Sequence, residues 1–267
     1  MLKKLLKYDM RDMRSRSVPL FIASAATALI CCALLYFSLS FSSDYFNFAI
    51  LAVSGFYAIG IIAIVALFVV NYFFAVARYY KSFFTDEGYL NMVIPAETSL
   101  LLLEKLIAAL IWMFSSVIVM LLSFMLAVAA PFLLYDPNGF FGFIDLLFEP
   151  GMLFAGAGAA ELTVSIIYAV VASVESITLI FLAITVGSML MRNHKIVGSV
   201  LFYFAISLVQ SFVTGGFEIA IIAITKNSPG GPLTLLGSIL TVAVSAAVSV
   251  ALYFVNLGLL KNKFNIE

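Results

Sequence analysis

The chain has 267 residues, of which 64% are apolar and 10% charged, with Lys+Arg and Asp+Glu balanced at 14 each. A mean hydropathy of +1.16 excludes soluble globular domains, which carry about 25% charged residues and roughly 45–50% apolar ones. Apolar runs long enough to cross a bilayer core predict an all-α polytopic membrane protein with six transmembrane helices, and the short alternating segments of a membrane barrel are missing.

Residues 1–17 carry Lys3, Lys4, Lys7, Arg11, Arg14 and Arg16 and are expected to form an N-terminal interfacial helix at an anionic leaflet. Pro19 fits the first turn of the span that follows, 18–41. That stretch is too long for a signal-peptide core and no A-x-A site follows it, so it reads as an uncleaved span. Cys31 and Cys32 are adjacent within it, cannot bridge each other, and read as small apolar side chains. Span two covers 48–77. Its length exceeds the bilayer thickness, which calls for tilt or continuation beyond it. A polar segment, 78–99, leads to span three at 100–135, which passes Glu104 and Lys105. Residues 136–160 are broken by Gly and Pro, acidic and free of Lys and Arg, and are expected to form short helices at the outer interface. Span four is 162–191, followed by a basic turn with Arg192, His194 and Lys195, then span five at 196–213. Thr214, Gly215 and Gly216 predict a break there, with 214–232 forming a re-entrant or interfacial outer segment. Span six is 233–259, trailed by Lys261 and Lys263.

Six spans place both termini on one side. Every Lys and Arg except Lys226 falls on that side, so the positive-inside rule makes both termini cytoplasmic in a cell membrane.

The motifs of self-contained chemistry are missing. There is no G-x-x-x-x-G-K-[ST], no H-E-x-x-H, no G-x-S-x-G and no Cys/His metal spacing; the single histidine, His194, reads as a headgroup-facing surface residue. The chain is expected to be no enzyme and to bind no cofactor or metal of its own. Polar side chains inside spans are the remaining candidates, because hydrocarbon penalises them. Glu175 lies 17 residues before Arg192 and Gln210 lies 15 residues after Lys195, about 25 and 22 Å from the basic side. The two can meet at one depth. A hydrogen-bonded lock between helices and a proton-linked carboxylate on a substrate path both remain open. Asn71 reads as a residue that satisfies backbone groups. Gly237, Thr241, Ser245 and Ser249 repeat every four residues and mark a packing face on span six; Ser165, Ala169, Ala172, Ser176, Ala183 and Gly187 form a similar stripe on span four.

Within 78–99, Thr85 is placed to cap a short helix whose first turn holds Asp86 and Glu87. Gly88 is a poor choice so early in a helix unless another chain packs close to it. Pro95 ends the element, and Thr98 or Ser99 can cap span three. Tyr89, Leu90, Met92, Val93 and Ile94 have no core of their own, so the helix either presents a docking surface or packs back onto the bilayer.

The run Asp86-Glu87-Gly88-Tyr89-Leu90, then Pro95 and Lys105-Leu106, resembles the membrane-spanning permease subunits of bacterial type-2 ATP-binding-cassette (ABC) transporters. The amphipathic N-terminus, six spans and interrupted outer segments extend the likeness over essentially the whole chain. Many relatives have Gly-Thr-Leu-Glu where this chain has Gly-Tyr-Leu-Asn. The resemblance implies a coupling helix at 82–96, seated in a cleft of a separate ATPase subunit, with Thr85, Asp86, Glu87, Gly88, Tyr89, Leu90 and Pro95 as coupling residues. Arg192, His194 and Lys195 match the second cytoplasmic turn. It further implies two permease subunits, identical or related, forming the path for an apolar or amphipathic cargo such as an antimicrobial peptide, lipid or drug. ATP and Mg would then bind the partner ATPase, and no nucleic acid is involved. The competing readings are a non-transporting scaffold or sensor that binds a cytoplasmic partner, and a secondary transporter using Glu175.

Overall fold

The computed structural model describes residues 2–40, 47–85, 88, 97–136, 138, 141–142, 159–191, 194–225 and 232–264. Among them lie six long helices and no strand: α1 (Leu2–Ser40), α2 (Asn47–Phe84), α3 (Thr98–Tyr135), α4 (Ala159–Leu190), α5 (Lys195–Thr225) and α6 (Pro232–Phe264). Each is long and apolar enough to cross a membrane. Phe212 on α5 is 79% exposed, with Ile196 and Ile219 close behind. Such a surface suits lipid, where apolar side chains carry no penalty. The chain is a multi-pass membrane protein by the length, composition and exposure of its helices.

Two expectations about helix breaks are corrected. The basic N-terminal segment is not a separate interfacial helix, and Pro19 sits inside α1 rather than in a first turn. One inward stripe runs the length of α1, with Asp9, Met13, Ser17, Ser24, Ala28 and Cys31 all buried, while Lys3, Lys4, Lys7, Arg11 and Arg14 are exposed. A stripe spaced by one or two turns needs a continuous helix to keep its members in line. Likewise α5 runs unbroken through Thr214, Gly215 and Gly216 to Thr225, so no re-entrant break follows span five. A helical glycine costs about 1 kcal/mol against alanine. Opening a turn in hydrocarbon orphans several backbone groups at several kcal/mol each. The helix is the cheaper state. Of 136–160, only Asp136, Asn138, Phe141, Gly142 and the first residues of α4 are described; the expected outer helices lie otherwise outside the described residues.

The chain divides into two compact units. The first comprises Met1–Leu6, Val76–Leu110 and Phe154–Glu267. Here α4 is the central helix: from 177 to 188 its residues are buried or half-buried on every side, and it packs against both α5 and α6. At the α4–α5 crossing a Cβ on Gly187 would come within 2.3 Å of the Ser199 amide nitrogen, so only glycine permits this approach. The second unit comprises Lys7–Ala75 and Ile111–Leu153. Its apolar centre is Ala28, Cys31, Ile64 and Ala127, flanked by Tyr57, Ile61, Met120 and Leu126. Small residues bring these helices close: a Cβ on Gly60 would fall 2.2 Å from Cys31 Sγ.

Candidate functional site

The basic-side end of α2 is aromatic: Tyr79, Tyr80, Phe83 and Phe84 occupy its last turns. Tyr79 is 1% exposed. Its ring stacks on Phe181 of α4 at 3.8 Å between centroids and 6° between planes, and Phe83 lies 5.1 Å away. The Tyr79 hydroxyl is 2.8 Å from Thr185 Oγ1 and accepts from Asn256 Nδ2 of α6 at 3.1 Å. Thr185 spends its own proton on the Phe181 carbonyl at 2.9 Å. Asn256 donates to Tyr79, whose single proton faces two acceptors, Thr185 Oγ1 at 2.8 Å and Asn256 Oδ1 at 3.4 Å, and Thr185 closes the chain on the α4 backbone. Every member is buried, so water does not compete, and the end of α2 is held to α4 and α6 by stacking and hydrogen bonds together.

The two basic-side turns also meet. Lys195, first residue of α5, donates from Nζ to the Phe84 carbonyl at 3.4 Å. That carbonyl is one of the last four of α2, which lack helical partners, and a cation there complements the helix dipole. Thr85 Oγ1 donates to the Lys81 carbonyl at 2.6 Å, so its hydroxyl closes α2. Gly88 N donates to the Thr85 carbonyl at 2.8 Å. A Cβ on Gly88 would stand 2.8 Å from the Phe83 carbonyl oxygen. A need for glycine therefore arises already within this chain, from its own backbone. Asp86, Glu87, Tyr89, Leu90, Pro95 and Arg192 lie outside the described residues.

At the start of α3, Glu97 takes the capping position expected of Thr98 or Ser99. Its carbonyl accepts from Leu101 N at 3.2 Å, and Ser99 Oγ donates to its carboxylate at 3.1 Å. Tyr253 of α6 donates to the Ser99 carbonyl at 3.2 Å, tying α6 to this end. One turn further, Glu104 and Lys105 are both buried, with Nζ 3.1 Å from Glu104 Oε2. His194 is exposed, and its carbonyl accepts from Gly198 N at the head of α5.

Glu175 and Gln210 are brought together. Gln210 Nε2 donates to Glu175 Oε1 in a short contact between α4 and α5, and Glu175 is 5% exposed. On α6, Gly237, Ser245 and Ser249 are buried and Thr241 half-buried, so the small-residue stripe is an inward face. The α4 stripe is different: Ala183 and Gly187 are buried, whereas Ser165, Ala169 and Ser176 are exposed. Among the described residues no group of three or more His, Cys, Asp or Glu side chains could hold a metal.

The Tyr79–Thr185–Asn256 chain was not anticipated from sequence. Depth matching, the reasoning that paired Glu175 with Gln210, reaches it too. Tyr79 adjoins Arg78, Thr185 lies two turns before Arg192, and Asn256 stands five residues before Lys261, so all three sit near one level of the basic side. No family model, curated protein or solved structure matches the chain.

Proposed function

We propose that this chain is the permease subunit of an ABC exporter, with both termini cytoplasmic in a bacterial cell membrane. Two copies, or one copy and a related subunit, would form the path for an apolar or amphipathic cargo, driven by separate ATPase subunits. The observation that carries the reading is the Tyr79 node. The segment 82–96 begins where α2 is stacked and hydrogen-bonded to α4 and α6, and Lys195 links the second basic turn to the same helix end. A push on 82–96 would reach three spans through the buried contacts of Tyr79. A helix end tied only to lipid would instead dissipate the push as tilt.

The test is purification of the chain from its native membrane together with any ATP-binding subunit that accompanies it, followed by Glu87→Ala. A stable complex whose ATPase activity loses its response to cargo in the variant supports the proposal. Purification without any ATP-binding subunit, or an unchanged response, rejects it.

The Glu175–Gln210 contact favours a second reading, a secondary transporter in which the Glu175 carboxylate carries a coupling proton. It predicts that Glu175→Gln abolishes uptake driven by a pH gradient. A variant that retains transport and its pH profile leaves the pair as a lock between helices.

A further inference from the structure

In the second unit, α1, α2 and α3 turn polar side chains inward at the end nearer their basic flanks. Asn71 of α2 is 2% exposed, and neither its Oδ1 nor its Nδ2 has a hydrogen-bond partner in the protein. Both atoms buried and unmatched would cost several kcal/mol in hydrocarbon. Asn71 lines a cavity of about 10 Å³ together with Ser24 of α1 and Ser116 of α3, walled by Phe21, Phe68 and Met120. Ser24 Oγ donates to the Phe21 carbonyl at 2.9 Å and Ser116 Oγ to the Met113 carbonyl at 2.8 Å. Their protons are committed, and Ser24 Oγ also accepts from Ser123 Oγ at 3.4 Å, which leaves both hydroxyl oxygens to act toward the cavity only as acceptors.

We propose that this cavity is a binding site for one water molecule, which accepts from Asn71 Nδ2 and donates to the Ser24 and Ser116 hydroxyl oxygens. About 10 Å³ of space suits a single water, and a buried water needs two to four polar partners, which these three side chains supply. An apolar guest would leave the carboxamide unmatched. The polar lining continues toward the basic ends: Ser17 Oγ and Trp112 Nε1 are buried without a hydrogen-bond partner, each one turn from a cavity-lining residue. In the other direction Ala28, Cys31, Ile64 and Ala127 close the bundle with apolar packing. The unit is thus hydrated on its basic side and dry beyond. This inference is independent of the exporter reading.

The experiment is water-edited solid-state NMR on the full chain, labelled with ¹⁵N-asparagine in lipid bilayers, with the Asn71 signal assigned from its loss in Asn71→Leu. Two internal references bracket the result. Asn138 is exposed, whereas Asn256 is buried with its amide donating to Tyr79. The expected result is a build-up from water at the Asn71 side chain approaching that of Asn138, and a slower one in Ser116→Ala. Build-up at Asn71 as slow as at Asn256 overturns the site. An unchanged rate in Ser116→Ala overturns Ser116 as a water partner. The primary measurement uses the wild-type chain, so a variant that fails to fold does not remove the test.

Discussion

Tyr79→Phe is the most informative single change. It keeps the ring, its volume and its stacking on Phe181, and removes only the oxygen shared by Thr185 and Asn256. Interhelical hydrogen bonds in membrane proteins average about 0.6 kcal/mol and reach about 1.7. Two such bonds vanish. Thr185 keeps its bond to the Phe181 carbonyl, but the Asn256 amide loses its acceptor within a site that is 1% exposed, and an unmatched buried donor costs about 1–3 kcal/mol. The expected loss is about 1–3 kcal/mol, toward the upper half if Asn256 finds no new acceptor. Equilibrium unfolding in bicelles measures it, and a double-mutant cycle with Asn256→Leu isolates the coupling. The cycle is expected to give about 1 kcal/mol of coupling, because the second substitution removes the donor that the first one orphaned. A Tyr79→Phe effect below about 0.5 kcal/mol together with zero coupling would refute a buried network here. It would also remove the link on which the exporter proposal depends.

Other substitutions probe the remaining contacts. Gly187→Ala places a Cβ 2.3 Å from backbone nitrogen on α5 and is expected to destabilise by about 1–3 kcal/mol in the same unfolding assay. Gly215→Ala has nothing within 4 Å and is expected to be neutral or stabilising, by up to about 1 kcal/mol of helix propensity. Gln210→Leu takes a donor from the buried Glu175 carboxylate and is expected to cost about 1–3 kcal/mol; equal stability of variant and wild type would show that the pair holds nothing. Gly88→Ala is expected to disturb the end of α2 whether or not a partner docks, because its Cβ would meet the Phe83 carbonyl. Helix-end order read by hydrogen exchange should therefore change in the isolated chain. Glu87 is for that reason the cleaner residue for testing the coupling role proposed for 82–96.

Much of the helical plan is legible in the sequence because hydrocarbon allows few alternatives. Six apolar runs became six helices, and the ends of α3, α4 and α6 differ from the predicted spans by a few residues. The misreadings share one cause. Pro19 and Gly215-Gly216 break helices in water, where opened backbone groups find solvent, and that rule was carried into a medium where they do not. The small-residue stripe faces inward along α6, whereas on α4 it is buried only at Ala183 and Gly187, for a related reason. The α6 helix buries one face, so its stripe has a direction, whereas α4 is enclosed on most sides between 177 and 188 and exposed before that. A stripe then says nothing about which face packs. The Glu175–Gln210 contact was readable because two isolated polar residues at one depth have few other partners. Tyr79 was hidden by its type: tyrosine near a basic helix end reads as an interface anchor, and burial alone distinguishes it.

Buried polar groups are met in different ways along the chain. In the first unit polar side chains meet across helices: Asn256 with Tyr79 and Thr185, and Gln210 with Glu175. Directional bonds of this kind fix helices in register and pass displacement from one to the next. In the second unit Ser17, Asn71 and Trp112 present buried polar atoms that no protein group meets. Retaining four such atoms on these three residues is unfavourable by several kcal/mol unless something else supplies the bonds. Asn71→Leu therefore distinguishes two explanations. If water supplies them, the substitution exchanges one satisfied arrangement for another and stability changes by less than about 1 kcal/mol. If nothing does, removing the orphaned carboxamide stabilises the chain by about 2 kcal/mol or more, and Asn71 would then be retained for an occupant that arrives in another conformation.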